Sequence, residues 1–163
     1  MKKLILILPF WLLAFIVSAQ SGYKYINASV GMMYPKAYNL SVNYEFVTKY
    51  HNTLELGGEY FVKRESFDSD NILKSPYNWL IGPVFKPVLL RSKNVTLRFP
   101  IGLRGGSNRS GFIAAPQVGF ELSQTFRSGV EFMITQKNQY VFFVDDSNWR
   151  IGLSMGLKFP LNQ

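Results

Sequence analysis

Apolar and polar residues alternate with a period of two along three segments of the chain. In residues 38–46 every even-numbered residue is apolar or aromatic and every odd-numbered residue is polar. In residues 95–104 and 149–159 the odd-numbered residues are apolar or aromatic, and the even-numbered ones are polar, glycine or proline. Because successive side chains of a strand point to opposite faces, this period predicts β-strands with one apolar and one polar face.

Less regular alternation marks five further segments and brings the number of predicted strands to eight. In the fourth predicted strand, Leu80 and Val84 place apolar side chains on the otherwise polar face. The five segments are residues 23–33, 54–64, 77–89, 112–122 and 130–144.

The connections between these strands differ in length. They are longer at residues 67–75 and 105–111, the second of which is predicted to be a glycine-rich flexible loop. They are short and polar at residues 49–52, 91–94 and 123–127. An even number of strands joined alternately by short turns and longer loops is typical of outer-membrane barrels. The sequence therefore predicts an all-β fold, an eight-stranded antiparallel up-and-down transmembrane β-barrel.

The polar face indicates which side of the barrel is inside. A soluble barrel also alternates, but with its apolar side inward. Here the polar face combines small residues with five acids and six bases, a balance expected of charges that pair in a narrow lumen. We therefore predict an apolar outside and a polar lumen. The predicted lumen charge network consists of Glu45, Glu55, Glu59, Lys63, Lys86, Arg98, Arg104, Glu121, Glu131, Arg150 and Lys158.

Aromatic residues make up 16% of the chain and lie near the ends of the apolar face. We expect two girdles of the kind that mark the two membrane interfaces. At the loop side these are Tyr38, Tyr60, Trp79, Phe112 and Trp149, and at the turn side Phe46, Phe120, Phe132 and Phe159. Proline lacks a ladder donor, so we expect bulges or breaks where it falls within predicted strands. These positions are Pro83, Pro87, Pro100 and Pro116.

The first 19 residues have the features of a cleaved signal peptide. Lys2 and Lys3 precede an apolar stretch at residues 4–17, and Val17-Ser18-Ala19 follows as a cleavage site. The alternative is an anchor that is retained, but the stretch is short for a spanning helix. The predicted organisation is a signal peptide at 1–19 and a β-barrel domain at 20–163, exported to the outer membrane.

The sequence offers little reactive chemistry. The single histidine, His51, falls in a predicted turn, and the chain has no cysteine. Glu55 and Glu59 are better interpreted as partners of lumen salt bridges than as an acid pair. We therefore expect no enzyme activity and no catalytic, metal or cofactor site. The bases outside the signal peptide are spread singly, so no direct nucleic-acid binding is expected. Eight strands enclose room only for their own side chains, so no pore is expected.

Two stretches resemble a known family. Gly57-Gly58-Glu59-Tyr60-Phe61-Val62-Lys63-Arg64 and Gly152-Leu153-Ser154-Met155-Gly156-Leu157-Lys158-Phe159 are similar to the TraO family, conjugal transfer proteins of Bacteroides-type conjugative transposons. The first strand and the seventh hairpin also look similar. The resemblance implies an envelope component of a mating apparatus, without known catalytic residues. Its partners would be outer-membrane lipid and other envelope proteins of the transfer machinery.

The charged residues of the short turns are all basic, whereas the acids Asp68, Asp70, Asp145 and Asp146 lie in the longer loops. A hypothesis follows in which a basic periplasmic rim docks an acidic surface on another envelope protein. The rim residues are Lys49, Arg91, Lys93 and Arg127. Two alternatives remain open: a surface barrel for adhesion or defence, and a soluble lipocalin-like periplasmic carrier of apolar ligands.

Overall fold

The computed structural model describes residues 22–35, 37–48, 50–63, 77–108, 111–143 and 148–161. The predicted signal peptide at 1–19 lies outside the described residues, so it stays a prediction. In the described ranges no helix is long and apolar enough to span a membrane. The strands are β1 Lys24–Tyr34, β2 Ala37–Val47, β3 Thr53–Lys63, β4 Tyr77–Lys86, β5 Val88–Ser92, β6 Val95–Arg98, β7 Ile101–Asn108, β8 Gly111–Thr125, β9 Glu131–Tyr140 and β10 Trp149–Pro160.

The ten strands form a closed antiparallel barrel. β4 and β5 lie in line and together occupy one strand position of the barrel wall, and so do β6 and β7. The wall therefore has eight strand positions. The strand at each position pairs with the next in chain order, and β10 pairs with β1 from Tyr25–Pro160 to Tyr34–Ile151. The predicted eight-stranded up-and-down barrel is therefore confirmed. Two of the eight strand positions are each divided into two shorter strands.

The interior of the barrel is polar and its outside is apolar. On β2, Asn39, Ser41, Asn43 and Glu45 are buried, while the alternate residues lie on the outer face. On β10 the same rule holds, because Leu153 is 58% exposed and its neighbours Gly152 and Ser154 are buried. The predicted assignment of the two faces is confirmed.

Each of the four prolines lies where the ladder is interrupted. Pro87 separates β4 from β5 next to a bulge at Val88/Leu90, and Pro100 lies between β6 and β7. The β4–β7 ladder omits Gly82 and Pro83, and Pro116 lies just beyond the β8–β9 ladder, which begins at the Gln117–Gln139 pair. The carbonyls of Pro87 and Pro100 still accept hydrogen bonds, from the backbone N–H groups of Phe99 and Gly119. The prolines therefore occupy positions at which the missing backbone N–H has no ladder partner.

Three connections differ from the sequence prediction. Residues 105–108 are not a loop, because they extend β7, and Gly111 already begins β8. Arg91 lies in β5 rather than in a turn, and residues 123–125 belong to β8. Glycine and polar residues indicate loops in a sequence, but here they occupy strand positions because neighbouring strands supply their backbone partners.

Aromatic side chains cover both ends of the outer face. At the loop end Tyr60 pairs across strands with Trp79, and the rings of Tyr140 and Trp149 lie 6.0 Å apart. At the turn end the rings of Phe99 and Phe120 lie 5.3 Å apart in an edge-to-face arrangement. We call these two rims of the barrel the loop end and the turn end below.

Candidate functional site: the barrel lumen

Two lysines form the centre of the lumen. The Lys86 Nζ lies 2.6 Å from a carboxylate oxygen of each of Glu45, Glu55 and Glu121. The Lys158 Nζ lies 2.8 Å from Glu45 and 2.6 Å from Glu121. These five residues come from five different strands, and the inward parity of each strand aims its side chain at the barrel axis. The ionic cluster therefore ties opposite walls together.

A second layer of charges lies nearer the loop end. The Arg104 Nη2 donates to Glu55 at 2.7 Å, and its Nη1 lies 3.6 Å from Glu59. Glu59 also accepts hydrogen bonds from Lys137, from Asn39 at 2.8 Å and from Gln139 at 3.0 Å. Arg104 thus connects the second layer to the central cluster through Glu55.

The remaining predicted network residues lie at the two ends of the lumen. Near the turn end, the Arg98 Nη1 donates to Ser123 at 2.6 Å and to Glu121 at 3.4 Å, and lies 3.8 Å from Glu131. Near the loop end, the Arg150 guanidinium lies 4.9 Å from the ring centre of Phe61. The side chain of Lys63 lies outside the described part of the structure.

Sequence reasoning missed Lys137 and the amides of the lumen. Lys137 has the same parity in β9 as Glu131, and this parity was the signal that pointed to it. Asn27 donates to Glu45 at 2.8 Å and to Glu55 at 3.1 Å, so neutral amides fill the donor positions between the carboxylates. With Lys137, the described lumen holds five carboxylates and six cations. Buried charges persist only when they are paired and hydrogen-bonded.

An apolar layer lies above the charges at the loop end. We call this the loop-end cluster; its members are 0–3% exposed, and it consists of Met33, Phe61, Leu80, Ile113, Ala115 and Val141. Leu80, which only weakened the alternation in the sequence, is therefore an interior contact. A cavity of about 40 Å³ lies beside Lys86 and Arg104, and it is large enough for a water molecule.

The turn end opens into a larger cavity of about 220 Å³, which we call the mouth cavity. Arg91 and Lys93 of the predicted docking rim line it and are exposed to solvent. Arg127 is exposed on the β8–β9 turn and is not part of the lining, and Lys49 lies outside the described residues. The full lining is Tyr23, Tyr25, Val47, His51, Arg91, Lys93, Thr96, Arg98, Thr125 and Glu131.

The arrangement serves to fill the barrel and to fix its shape. The three carboxylates at the centre share Lys86 and Lys158, and Arg104 also pairs with Glu55, so the protein itself supplies their counter-charges. In the described residues no group of three or more histidine, aspartate or glutamate side chains is arranged to hold a metal ion. The lumen thus resembles a salt-bridged protein core rather than a ligand pocket.

The overall fold is similar to that of three solved β-barrels. A barrel from work on the de novo design of transmembrane beta-barrels has a TM-score of 0.58 and 10% identity, over 86% of this chain and 96% of that chain. The de novo designed TMB2.3, solved by solution NMR, has a TM-score of 0.50 and 12% identity, over 88% and 99%. The N-terminal β-barrel domain of Pseudomonas aeruginosa OprF has a TM-score of 0.51 and 16% identity, over 85% and 98%.

These similarities define the class of fold. The chain has the fold of a small outer-membrane-type transmembrane β-barrel. No protein-family model and no curated protein matches it.

Proposed function

We propose that this protein is a non-conducting outer-membrane barrel that serves as a structural component of a conjugative transfer apparatus. The observation that carries the non-conducting part is the filled lumen, in which Lys86 and Lys158 join carboxylates from opposite walls and the loop-end cluster lies above them. The resemblance to the TraO family supports the role in transfer. The barrel presents surfaces for assembly and carries out no catalysis.

The outer membrane is the location that the apolar outer face supports. Exposed leucine, isoleucine, valine and aromatic side chains cover the outer wall, and this surface is stable only in contact with lipid. Export through the signal peptide at 1–19 would deliver the chain to the periplasm, from which such barrels insert. With both termini in the periplasm, the turn end faces the periplasm and the loop end faces outward.

The docking rim remains part of this proposal. Arg91, Lys93 and Arg127 are all exposed at the turn end, where they are available to an acidic surface of another envelope protein. Charge pairing of this kind mainly steers encounter and orientation. Reversing the four rim residues Lys49, Arg91, Lys93 and Arg127 to Glu should lower the conjugation frequency and leave barrel assembly intact.

The test combines genetics with electrophysiology. Deletion of the gene should lower conjugation frequency, and the wild-type chain supplied in trans should restore it. The purified protein in planar lipid bilayers should give no steady ion conductance. Normal transfer by the deletion strain would refute the conjugation role, and stable single-channel currents would refute the filled barrel.

The two alternatives make different demands. A lipocalin-like carrier needs an apolar cavity inside the barrel, whereas the described residues place five carboxylates and six cations in this lumen. An adhesion or defence barrel would act through its outward loops. Neighbouring genes that encode other transfer proteins would favour the transfer apparatus over the adhesion barrel.

A further inference from the structure

One strand of the barrel has a free edge. β5 stands at the end of the strand order and, among the described residues, pairs with β6 alone. β3 pairs with β4 only as far as the Thr53–Lys86 pair. Beyond this pair, toward the turn end, no described strand pairs with the side of β5 that faces away from β6. At the first residue of β5, the Val88 N–H donates a hydrogen bond of 3.0 Å to the side-chain oxygen of Asn52, which caps this end of the edge. An unpaired edge of this kind is a template for another strand.

The free edge adjoins the mouth cavity, and that cavity is basic. Among the described residues, its lining holds the cations Arg91, Lys93 and Arg98 and one carboxylate, Glu131, together with His51. Arg98 is only 5% exposed, and its Nε has no hydrogen-bond partner among the described residues. The cavity therefore offers a buried donor and exposed cations to an anionic group.

The two features share one residue, Arg91, which belongs to β5 and lines the mouth cavity. On the other face of the same hairpin, Leu89 and Leu90 are 48% and 69% exposed. A strand added beside β5 would point alternate side chains into the cavity and outward, as in any sheet. Acidic side chains would meet the cations inside, and apolar side chains would lie beside the leucines outside.

From this geometry we propose that the free edge of β5 and the mouth cavity bind an extended acidic segment of a periplasmic protein by strand addition. Backbone hydrogen bonds to β5 supply affinity, and alternating carboxylates in the cavity supply specificity. This inference rests on the proposed function only for its orientation, with the turn end toward the periplasm. It names the partner as an extended segment with alternating acidic and apolar residues.

The experiment uses the purified full-length protein in detergent micelles and a fluorescein-labelled heptapeptide in which Glu and Val alternate. Binding is measured by fluorescence anisotropy at low and high salt. Three control probes are a peptide of equal composition with its Glu residues in one block, the alternating peptide with every second backbone nitrogen methylated, and inorganic phosphate as competitor. We expect the alternating peptide to bind at least tenfold more tightly than either control peptide, with weaker binding at high salt.

Variants of the protein locate the site. Arg91→Glu combined with Lys93→Glu should weaken peptide binding about tenfold or more, because two attractions become repulsions. Lys24→Glu changes a partly exposed base of β1 that neither lines the cavity nor belongs to the four rim residues, so it should leave binding unchanged. Heat-modifiable migration on gels verifies that each variant forms a closed barrel.

Several outcomes would overturn the inference. Equal binding of the alternating, block and methylated peptides would exclude strand addition, and competition by phosphate at equal concentration would indicate a small-anion site instead. Equal losses in the Lys24→Glu and double variants would indicate general charge attraction. Peptide binding in vitro together with normal transfer by the deletion strain would refute the conjugation role alone, whereas reduced transfer without peptide binding would refute this site alone.

Discussion

At the scale of single residues, the lumen depends on carboxylates that are shared between cations. Glu121 is fully buried and contacts Lys86 and Lys158 at 2.6 Å and Arg98 at 3.4 Å. Glu131 is also buried, but its ion-pair contact is the 3.8 Å approach to Arg98. Both residues have inward parity, so the sequence treats them alike, and only the three-dimensional packing separates the central residue from the peripheral one.

Glu121→Gln should therefore destabilise the barrel by about 3–5 kcal/mol, because it leaves buried cations without their partner. Glu131→Gln is the matched control, and it should cost less than half as much. The free energy of unfolding is measured by urea titration of the protein refolded into lipid vesicles, with tryptophan fluorescence as the signal. Equal losses for the two variants would contradict the central role of Glu121.

Inward glycines allow close approach of neighbouring strands. A Cβ added at Gly119 would overlap the backbone oxygen of Gln136 on β9. A Cβ at Gly58 on the outer face would lie 3.8 Å from the Leu80 carbonyl oxygen, an ordinary van der Waals contact. Small residues on the inward face leave room for the long side chains of arginine and lysine in the lumen. The structure adds a second reason, which is the backbone of the adjoining strand.

Gly119→Ala should thus destabilise the barrel by about 1–3 kcal/mol through overpacking. Gly58→Ala should change the stability by less than about 0.5 kcal/mol, as is usual for surface positions without special contacts. The same vesicle-based urea titration compares the two variants. A destabilising Gly58→Ala together with a neutral Gly119→Ala would show that the assigned faces of β3 and β8 are inverted.

At the scale of strands, proline tolerance follows the ladder. Pro83 falls where the β4–β7 ladder is interrupted, but Ile81 in the same strand pairs with Gly58 on one side and Gly105 on the other. Hydrocarbon supplies no alternative partner for a backbone group that loses its bond. The position of a proline relative to the two neighbouring ladders, rather than its presence in a strand, therefore decides its cost.

Ile81→Pro should destabilise the barrel by several kcal/mol, because it removes a ladder donor and leaves a backbone carbonyl unpaired within the lipid. Ile81→Ala retains the backbone N–H and should still refold into vesicles. Refolding yield is measured from heat-modifiable migration on gels. A normal yield for Ile81→Pro would mean that this part of β4 is not in the paired wall.

Strand number and the orientation of the faces follow from sequence because the period of two is a local property. Parity alone does not show where an interior residue is apolar for packing, so Leu80 and Val84 only weakened the pattern, although they are 1% and 0% exposed inside the barrel. The division of two strand positions into two strands each, and the free edge of β5, depend on where the pairing with each neighbouring strand ends. These are long-range properties that the pattern of a single strand does not contain.

At the scale of the whole molecule, closure depends on the seam between the first and the last strand. β1 and β10 pair over ten residue pairs, among them Ala28 opposite Leu157 and Met32 opposite Leu153. A seam of this length removes the edges that an open sheet would expose to lipid. The same register sets Asn27 of β1 opposite Lys158 of β10, one of the two central lysines, so closure and the filled lumen depend on each other.

The seam is testable by crosslinking, because the chain contains no cysteine of its own. Ala28→Cys combined with Leu157→Cys places two thiols at directly opposed positions, within the distance that a disulfide spans. Oxidation in isolated membranes should crosslink this pair within one chain, and the crosslinked form should migrate differently from the reduced form on heated gels. Ala28→Cys with Leu153→Cys is the control, since its thiols lie about 13 Å apart along the strand. Efficient crosslinking of the control but not of the opposed pair would contradict the register, and crosslinking of neither would show that the barrel is open at this seam.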